Sequence, residues 1–543
     1  MKSDSLAVIL AVSAVSVLTL LVGAYGVRLA RTTSDFYVAS RAVGPRLNAS
    51  AISGEYLSAA SFLGVAGLVL LRGVDSLWYP VGWTAGYLML LIFVAAPLRR
   101  SRAYTIADFA DFRLESMAAR RMTSGVVVLI GVLYLVPQLQ GAGLTLQTLT
   151  DAPSWVGALI VASVVLANVT AGGMRSITIA QAFQYWLKLW ALLIPLAWLL
   201  IRWRHDGAPH PHLHDIAWVE PMQGSNAGYL TYSLILATFL GTMGLPHVAV
   251  RFYTNRDGTT ARRTTMVVLA MLSGFYLLPT LYGVLGRIYA SDLIASGQTD
   301  SVVLELPRRM LGQAPGDVVS AVLAAGAFAA FLSTSSGLVV SIGGVVAQDL
   351  IGTRLEGVSA FRLAASAAAA ITLAIAIATT GLAVAHAVEL AFAVAASTLS
   401  PLLILGIWWR GLTAVGAMIG MALGGVLSAA AVVTVMAGIE LTGWTATVVA
   451  QPALVSVPIA FAGMVIGSLA TSHRKPEHLV QILVRLHTPE EVDVDRGAFH
   501  PEARSTVTSR RSTRQIRRSS QTATTHGAPL TPSGDGSAAA TDM

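Results

Sequence analysis

Residues 53–61 read SGEYLSAAS and lie inside an apolar segment that extends from residue 47 to residue 71. Glycine weakens a helix and serine competes for backbone hydrogen bonds, so this stretch predicts a helix that opens in apolar surroundings. Glu55 lies within it, and a charged carboxylate at this depth of a bilayer costs about 3 kcal/mol to insert. Glu55 therefore requires a cation, a proton or a water-filled cavity. The alternative to a functional role is that Glu55 is a protonated or hydrogen-bonded structural residue between packed helices.

The composition predicts a membrane protein. Of the 543 residues, 55% are hydrophobic and only 12% are charged, and the mean hydropathy is +0.67. A soluble globular chain carries about 25% charged residues, because they cover its hydrated surface. This chain has too few charges for such a surface.

Apolar segments that are long enough to cross the hydrocarbon core, roughly 20 residues each, recur along the chain. We predict thirteen spans, at residues 5–26, 47–71, 76–98, 123–147, 154–172, 177–201, 227–247, 264–286, 317–346, 363–384, 387–409, 414–437 and 448–470. They form a transmembrane domain over residues 1–471. Residues 472–543 are rich in Ser, Thr, Arg and Gly and predict a basic, largely disordered tail.

The arginines predict the orientation. Most of those before the tail, Arg99, Arg113 and Arg251 among them, fall in loops that are cytoplasmic if the N-terminus is outside. Positively charged loops stay on the cytoplasmic side of a membrane, and an odd number of spans then places the basic tail there too. We expect a multi-pass protein of the cell (plasma) membrane, with its N-terminus outside and its C-terminus in the cytoplasm.

Several classes of function are excluded by what the chain lacks. Its lysines are Lys2, Lys188 and Lys475, and none of them follows a glycine, so a phosphate-binding GxxxxGK[ST] loop is absent. The chain has no cysteine and no His-Glu-x-x-His motif. The net charge of +8 arises from basic loops and the basic tail, so it does not indicate nucleic-acid binding. We expect no enzymatic activity and no cofactor apart from a coupling ion.

Two further clusters combine helix breakers and hydroxyl groups. Residues 241–247 read GTMGLPH, and Pro246 removes a backbone donor, so the helix is expected to open there. Residues 329–337 read AAFLSTSSG. These hydroxyls either bond back to the preceding turn or offer neutral oxygens to a small cation such as sodium. Since the second and seventh spans are the broken ones, spans 2–6 and 7–11 predict two inverted five-helix repeats.

These stretches resemble the sodium/solute symporter family, and within it the cation/acetate and monocarboxylate symporter branch. The similar motifs are SDFY at 34–37, GEYLSAASFLG at 54–64, YTIAD at 104–108, GAG at 141–143, GGM at 172–174, GLPH at 244–247 and AFAVAAS at 391–397. The resemblance implies an all-α polytopic membrane protein of about thirteen helices with an external N-terminus. Its core would be the five-plus-five inverted repeat of the leucine-transporter-like fold.

The resemblance also implies a sodium site between the first helix of repeat one and the third helix of repeat two. Its ligands would be the carbonyls of Gly54, Leu57 and Ala330 and the hydroxyls of Ser333 and Thr334. No other metal is expected.

The chain departs from the family at two positions. Sugar-transporting relatives have an aspartate where this chain has Gln181, and acetate-type members usually have one where it has Glu55.

The predicted function is secondary active symport of a small monocarboxylate, such as acetate, propionate or pyruvate, driven by inward movement of a cation. Na+ is the expected coupling ion, and H+ is the alternative. The substrate carboxylate is expected at half-helix ends, because helix N-termini attract anions. The candidate substrate and coupling residues lie in or beside the breaks: Glu55, Tyr56, Ser61, Thr238, Gly241, Thr242 and Gln181. Lys188 could pair with an anion, but we expect it to extend toward the membrane interface.

Two alternatives stay open. The chain could carry another small solute, such as proline, a sugar, a nucleobase or urea, or it could be a membrane sensor built on a transporter fold. The tail resembles no signalling domain, which disfavours the sensor. The expected partners are the monocarboxylate and the lipid bilayer, with no nucleic acid and no obligate protein partner. A stripe of Gly416, Gly420 and Gly424 is expected to pack within the chain rather than to mark a dimer.

Overall fold

The computed structural model describes residues 3–27, 43–211, 216–222, 224–351, 357–379, 384–489, 492–493 and 498–499. The motif at 34–37 and most of the predicted tail lie outside the described residues. The chain divides into two compact units, Met1–His487 and Thr488–Met543. The first unit therefore continues beyond the predicted end of the transmembrane domain at residue 471.

Every regular element described in the first unit is a helix. The α-helices are α1 (Ser3–Val27), α2 (Pro45–Tyr56), α3 (Val65–Arg72), α4 (Trp78–Met89), α5 (Ala95–Arg100), α6 (Ile106–Leu114), α7 (Met117–Thr150), α8 (Ser154–His205), α9 (Ile216–Val219), α10 (Ala227–Gly244), α11 (Pro246–Tyr253), α12 (Gly258–Tyr289), α13 (Asp292–Ala295), α14 (Val302–Leu311), α15 (Gln313–Val346), α16 (Gly357–Ala378), α17 (Val384–Ser397), α18 (Leu399–Trp408), α19 (Ala414–Met436), α20 (Gly443–Ala450), α21 (Ala453–Ala470) and α22 (Leu479–His487).

Short irregular helices connect several of these elements. Single π-helical turns lie at Ala60–Gly64, Leu90–Val94 and Ala347–Ile351, and 3₁₀ turns lie at Gly73–Leu77, Thr299–Ser301 and Ser472–Arg474. The last α-helix, α22, packs against α5 and α6. In the second unit, strands β1 (Val492–Asp493) and β2 (Ala498–Phe499) pair antiparallel, with Val492 opposite Phe499.

Eleven helical segments among the described residues are long and apolar enough to cross a membrane. Two of them, Ala60–Arg100 with 41 residues and Ser154–His205 with 52, would measure about 60 and 78 Å if straight, against about 30 Å of hydrocarbon. Both contain a glycine with positive φ where the helix is interrupted, Gly73 (φ 61°) and Gly173 (φ 58°). Each of the thirteen predicted apolar segments overlaps one of the eleven, although the first half of the segment 47–71 lies before Ala60, largely in α2. The prediction of an all-α polytopic membrane protein is confirmed.

Helix α15 runs through the centre of the first unit. It packs against α1, α7 and α8, and its apolar segment is almost wholly buried. Helix α8 lies at the periphery and has two distinct faces. Its outer face exposes large apolar side chains at helical spacing, as expected for contact with lipid: Trp186, Trp190, Ile194, Trp198 and Ile201. Its opposite face points toward α2 and α15.

Buried arginines complete the ends of helices in this unit. Arg113 is fully buried, and its guanidinium donates to Gly406 O at 2.6 Å and to Trp409 O at 3.0 Å, at the C-terminal end of α18. Arg99 donates to Asn255 O at 2.5 Å, just beyond α11. Terminal carbonyls lack partners within their own helix, and the helix dipole attracts cations to that end. Both arginines lie in the predicted connection between the spans 76–98 and 123–147, and the structure shows that they are buried there.

The glycine stripe on α19 packs against α21 of the same chain. A Cβ atom on Gly420 would lie 2.1 Å from Met464 Cγ and 2.5 Å from Ala460 O. The two helices therefore approach closely only because this position has no side chain.

We predict that Arg113→Met destabilises the first unit. The change leaves the Gly406 and Trp409 carbonyls without their donor, at a cost of about 2 kcal/mol. The measurement is the thermal unfolding midpoint of the full-length chain in detergent. Arg410→Met is the matched control, because Arg410 is exposed beside the same helix end and its loss should cost less than about 0.5 kcal/mol. Equal midpoints for the two variants would contradict the capping role.

Candidate functional site

Two membrane helices are interrupted at the positions predicted from their glycine, serine and proline residues. Helix α2 ends at Tyr56, and Leu57 leaves the helical region with φ −74° and ψ 88° before the chain resumes a helical path. The second break lies at Leu245, between α10 and α11, with Pro246 as the first residue of α11. A broken helix releases backbone groups that need other partners. Just beyond the end of α2, Ala59 N donates to Gln138 Oε1 of α7 at 2.9 Å.

The five residues predicted as sodium ligands lie together where α2 meets α15. Ser333 Oγ lies 2.6 Å from Gly54 O and 3.0 Å from Ala330 O, so both carbonyls are within reach of its single hydroxyl proton. Thr334 Oγ1 donates to the Glu55 carbonyl at 2.5 Å. The carbonyl of Leu57 lies in the break itself. It faces the same cluster, because it accepts a hydrogen bond from Lys188 Nζ at 2.6 Å.

The ammonium group of Lys188 occupies the middle of this cluster. Its Nζ donates to Gly54 O and Leu57 O at 2.6 Å each and to Ser333 Oγ at 3.0 Å. Lys188 is fully buried. The expectation that this side chain extends toward the membrane interface is therefore wrong. Its helix face is turned inward, and three acceptors meet the three N–H donors of an ammonium there.

A close approach between α2 and α8 brings the lysine within reach. A Cβ atom on Gly54 would lie 2.2 Å from Gln181 O. Only glycine permits the two backbones to come this near. Lys188 lies two turns after Gln181 on α8, so its stem reaches directly along the last turn of α2. The signal was present in the sequence, because Gln181, Gln184 and Lys188 form a polar face at positions i, i+3 and i+7.

Glu55 has the cationic partner that its depth requires. Its Oε2 accepts from Arg251 Nε at 2.5 Å, and both side chains are at most 2% exposed. Arg251 also donates to Thr178 Oγ1 at 2.8 Å and to Gln181 Oε1. Gln181 Nε2 in turn donates to Ser333 O at 2.7 Å. Arg251 was expected in a cytoplasmic loop, but it lies on α11 inside the bundle, because Pro246 restarts the helix beyond the break.

The other predicted substrate residues lie on the opposite side of α2. Tyr56 OH lies 2.8 Å from Thr242 Oγ1, and the Thr242 hydroxyl donates to Thr238 O at 2.7 Å. Thr242 thus has its proton engaged, and Tyr56 is the donor between them. Gly241 lies against Phe392 O, 2.5 Å from where a Cβ would be. Ser61 is separate from this group.

Ser61 Oγ lies 3.1 Å from Tyr276 OH. The seven predicted substrate and coupling residues are therefore divided into three places: Glu55 and Gln181 beside Arg251, Ser61 beside Tyr276, and the remaining four where α10 meets α2, α4 and α17.

Tyr56 opens onto an aromatic cluster that consists of Tyr56, Trp83, Tyr87, Tyr276 and Phe392. The ring centroids of Tyr56 and Tyr87 are 4.6 Å apart, and Trp83 lies 5.7 Å from Tyr276 and 5.8 Å from Phe392. Trp83 Nε1 and Tyr87 OH are buried and have no hydrogen-bond partner among the described residues. A buried donor without a partner costs about 1–3 kcal/mol. These two groups can therefore bind the acceptor atoms of a ligand.

The sequence analysis missed both of these donors. They lie in the predicted span 76–98, in which no breaker cluster was recognised. The available signal was the recurrence of aromatic residues at i, i+4 and i+8, at Tyr79, Trp83 and Tyr87, which places them on one helix face.

A second buried carboxylate was also missed. Glu389 of α17 is 2% exposed, and its Oε2 accepts from Tyr79 OH at 2.6 Å and lies 3.4 Å from His386 Nδ1. Gln451 donates to its other oxygen. Glu389 lies near the start of its span, where a carboxylate is unremarkable in sequence. Its contacts nevertheless link it to the helix that carries Trp83.

An apolar cavity of about 290 Å³ lies elsewhere, between α7, α16, α17 and α19. It is lined by Leu129, Val132, Leu133, Val136, Pro137, Gln140, Ile375, Thr379, Ala387, Leu390, Val432 and Met436. None of these is a predicted site residue, and this lining has no charged group for a carboxylate.

We predict that Glu55→Gln strongly destabilises the chain. It leaves Arg251 as an unpaired buried charge, which costs about 3–5 kcal/mol. Asp292→Asn is the matched control, since Asp292 pairs with Arg309 while 66% exposed, and exposed pairs contribute about 0–1 kcal/mol. Thermal unfolding in detergent measures both, and Arg251→Met should partly restore the Glu55→Gln variant. Similar small losses for both carboxylates would refute the buried ion pair.

The chain is similar to two bacterial transporters along most of its length. It is 30% identical over 498 residues to the uncharacterized symporter YwcA of Bacillus subtilis, and the alignment covers 87% of this chain and 96% of that protein. It is 29% identical over 520 residues to the monocarboxylic acid transporter of Corynebacterium glutamicum. That alignment covers 87% of this chain and 93% of the transporter.

Two solved structures have a similar fold. A Na+-coupled sialic acid symporter in a substrate-bound, outward-open state matches with a TM-score of 0.66 at 14% identity, over 86% of this chain and 97% of the other. Mhp1, a nucleobase-cation-symport-1 family transporter, matches with a TM-score of 0.54 at 13% identity, over 83% of this chain and 98% of Mhp1. These similarities confirm the predicted leucine-transporter-like fold.

The profile of the Sodium:solute symporter family matches residues 36–424. The match spans both helix breaks, the serine-rich segment of α15 and all the residues predicted for the site. The chain is thus a transporter and not an enzyme, and it belongs to the sodium:solute symporter family.

Proposed function

We propose that the chain takes up a small monocarboxylate, such as acetate, propionate or pyruvate, together with a cation that moves inward across the cell membrane. The observation that carries this proposal is the pair of unpartnered donors, Trp83 Nε1 and Tyr87 OH, in the aromatic cluster beside the break in α2. The similarity to the C. glutamicum monocarboxylic acid transporter supports it.

The chemistry of these donors suits a carboxylate. An ionised carboxylate only accepts hydrogen bonds, and an indole N–H only donates them. Neutral donors can bind the anion without another buried charge, and hydrogen bonds to charged groups are stronger than neutral ones. The surrounding rings of Tyr276 and Phe392 provide an apolar wall for a short acyl group.

The broken helices provide the movement that transport requires. The segments on either side of Leu57 and Leu245 are joined by non-helical backbone, so they can change direction without breaking helical hydrogen bonds. We also propose that the N-terminus lies outside the cell and that residues 472–543 form a cytoplasmic tail. This orientation follows from the distribution of arginines between the loops.

Sodium is the first candidate for the coupling ion, in keeping with the family and with the Na+-coupled sialic acid symporter of similar fold. The proton is the second, because an ammonium already contacts the carbonyls expected to hold sodium. One cation transported with one carboxylate moves no net charge. A membrane potential, about 2.3 kcal/mol per charge per 100 mV, would then add driving force only if a second cation accompanied them.

We predict that proteoliposomes containing the full-length chain accumulate radiolabelled acetate when an inward cation gradient is imposed. Sodium and pH gradients are imposed separately, and the gradient that drives accumulation identifies the ion. Unlabelled propionate and pyruvate should compete, whereas proline, glucose, uracil and urea should not. Uptake that is indifferent to both gradients would refute symport, and competition by one of the other solutes would identify a different substrate.

We predict that Trp83→Phe raises the KM for acetate about tenfold or more, because it removes a hydrogen bond to a charged group and keeps an aromatic ring. Initial uptake rates at varied acetate concentration measure the effect. Trp190→Phe is the matched control, since Trp190 is 50% exposed on the outer face of α8, and its KM should not change. An unchanged KM in the Trp83→Phe variant would show that the Trp83 indole does not bind acetate.

A further inference from the structure

The contacts of Lys188 determine which cation the site between α2 and α15 holds. We propose that the ammonium of Lys188 is the permanent cation of this site. It takes the place that the family resemblance assigns to a sodium ion, so that the native chain does not bind sodium there.

The geometry is that of a filled site. Nζ lies 2.6 Å from Gly54 O, 2.6 Å from Leu57 O and 3.0 Å from Ser333 Oγ. An ammonium has three N–H donors, and each has one of these acceptors. Three of the five oxygens expected to coordinate sodium are therefore already bonded to a cationic group. The remaining two, from Ala330 and Thr334, bond to Ser333 and to the Glu55 carbonyl.

Electrostatics also oppose a second cation. The carbonyls of Gly54 and Leu57 lie at the C-terminal end of α2, where the helix dipole attracts one positive charge. The carboxylate of Glu55, which lies beside them, already pairs with Arg251. A sodium ion on the same carbonyls would touch the ammonium in a fully buried site, where repulsion between like charges is strong. The residues present therefore fit an ammonium and do not fit a sodium ion beside it.

The same contacts exclude a direct role of Lys188 in substrate binding. All three N–H groups are used by acceptors of the protein, so none is left for a carboxylate. The aromatic cluster also lies on the other side of α2, beyond Tyr56. Lys188 is thus a positioning residue, which holds α2 and α15 together from α8.

A cation fixed to the chain cannot be transported. This site then stabilises the break in α2 in every turnover and contributes no sodium ion to the stoichiometry of transport. The ion that couples uptake is bound elsewhere or is not sodium. The inference rests on the proposed function only in treating this cluster as the cation site of a symporter, and sodium binding tests it without any substrate.

The test is equilibrium binding of ²²Na+ to the purified full-length chain in detergent, at constant ionic strength with choline as the replacing ion. The native chain should show no binding that depends on Ser333. Lys188→Ala removes the ammonium and leaves the oxygens in place, so it should gain about one sodium ion per chain and a sodium-dependent rise in its unfolding midpoint. Adding Ser333→Ala to Lys188→Ala should abolish the gain.

Lys475→Ala is the matched control, because it removes an exposed lysine and should leave sodium binding as in the native chain. Lys188→Met is a second variant, which keeps most of the side-chain volume without the charge. It should bind sodium more weakly than Lys188→Ala, because its side chain partly fills the site.

Sodium binding by the native chain that is lost in Ser333→Ala would overturn the inference. So would a folded Lys188→Ala chain that binds no sodium. If both Lys188 variants fail to fold, the unfolding midpoint of the native chain in sodium and in choline tests the proposal. A higher unfolding midpoint in sodium than in choline, abolished by Ser333→Ala, refutes the proposal, and equal midpoints support it. The acetate experiment is independent, since a chain that transports no monocarboxylate can still pass or fail the sodium test.

Discussion

The break in α2 inside the membrane is the constraint on which the rest of the site depends. Hydrocarbon offers no water, so every N–H and C=O group released by the break must find a partner in the protein. The partners come from three other helices: Gln138 of α7, Lys188 of α8 and Thr334 of α15. Each bond has a fixed length and direction. The positions of these three helices around α2 are therefore set by the need to satisfy its backbone.

Three buried cations among the described residues serve a similar purpose at helix ends. Lys188 completes the end of α2, and Arg113 and Arg99 lie at the ends of α18 and α11. A cation at a helix C-terminus gains from the helix dipole and from unpaired carbonyls, which offsets part of the cost of burying it. Arg251 is different, since it is neutralised by Glu55. Low charge content and buried charge are thus compatible, because these four buried cations donate to carbonyl, hydroxyl, amide or carboxylate oxygens.

Consecutive residues of α2 contribute to two different environments. The Glu55 side chain faces Arg251, whereas the Tyr56 hydroxyl contacts Thr242 and its ring contacts Tyr87. Because both residues belong to the last turn before the break, a movement of that turn changes the ionic cluster and the aromatic cluster together. This is the physical basis on which occupancy of one cluster can influence the other.

The sequence by itself determined the membrane spans, the two helix breaks and, through the family resemblance, the residues that meet at the end of α2. Hydropathy, proline and glycine act locally, so these features are readable along the chain. The partner of Glu55, the donors Trp83 and Tyr87 and the position of the Lys188 ammonium were decided by the tertiary structure alone. Lys188 shows the reason. Its place on the polar face of α8 is visible in sequence, but whether a lysine extends to the interface or turns inward depends on acceptors more than a hundred positions away, at Leu57 and Ser333. Only folding brings those oxygens to one point.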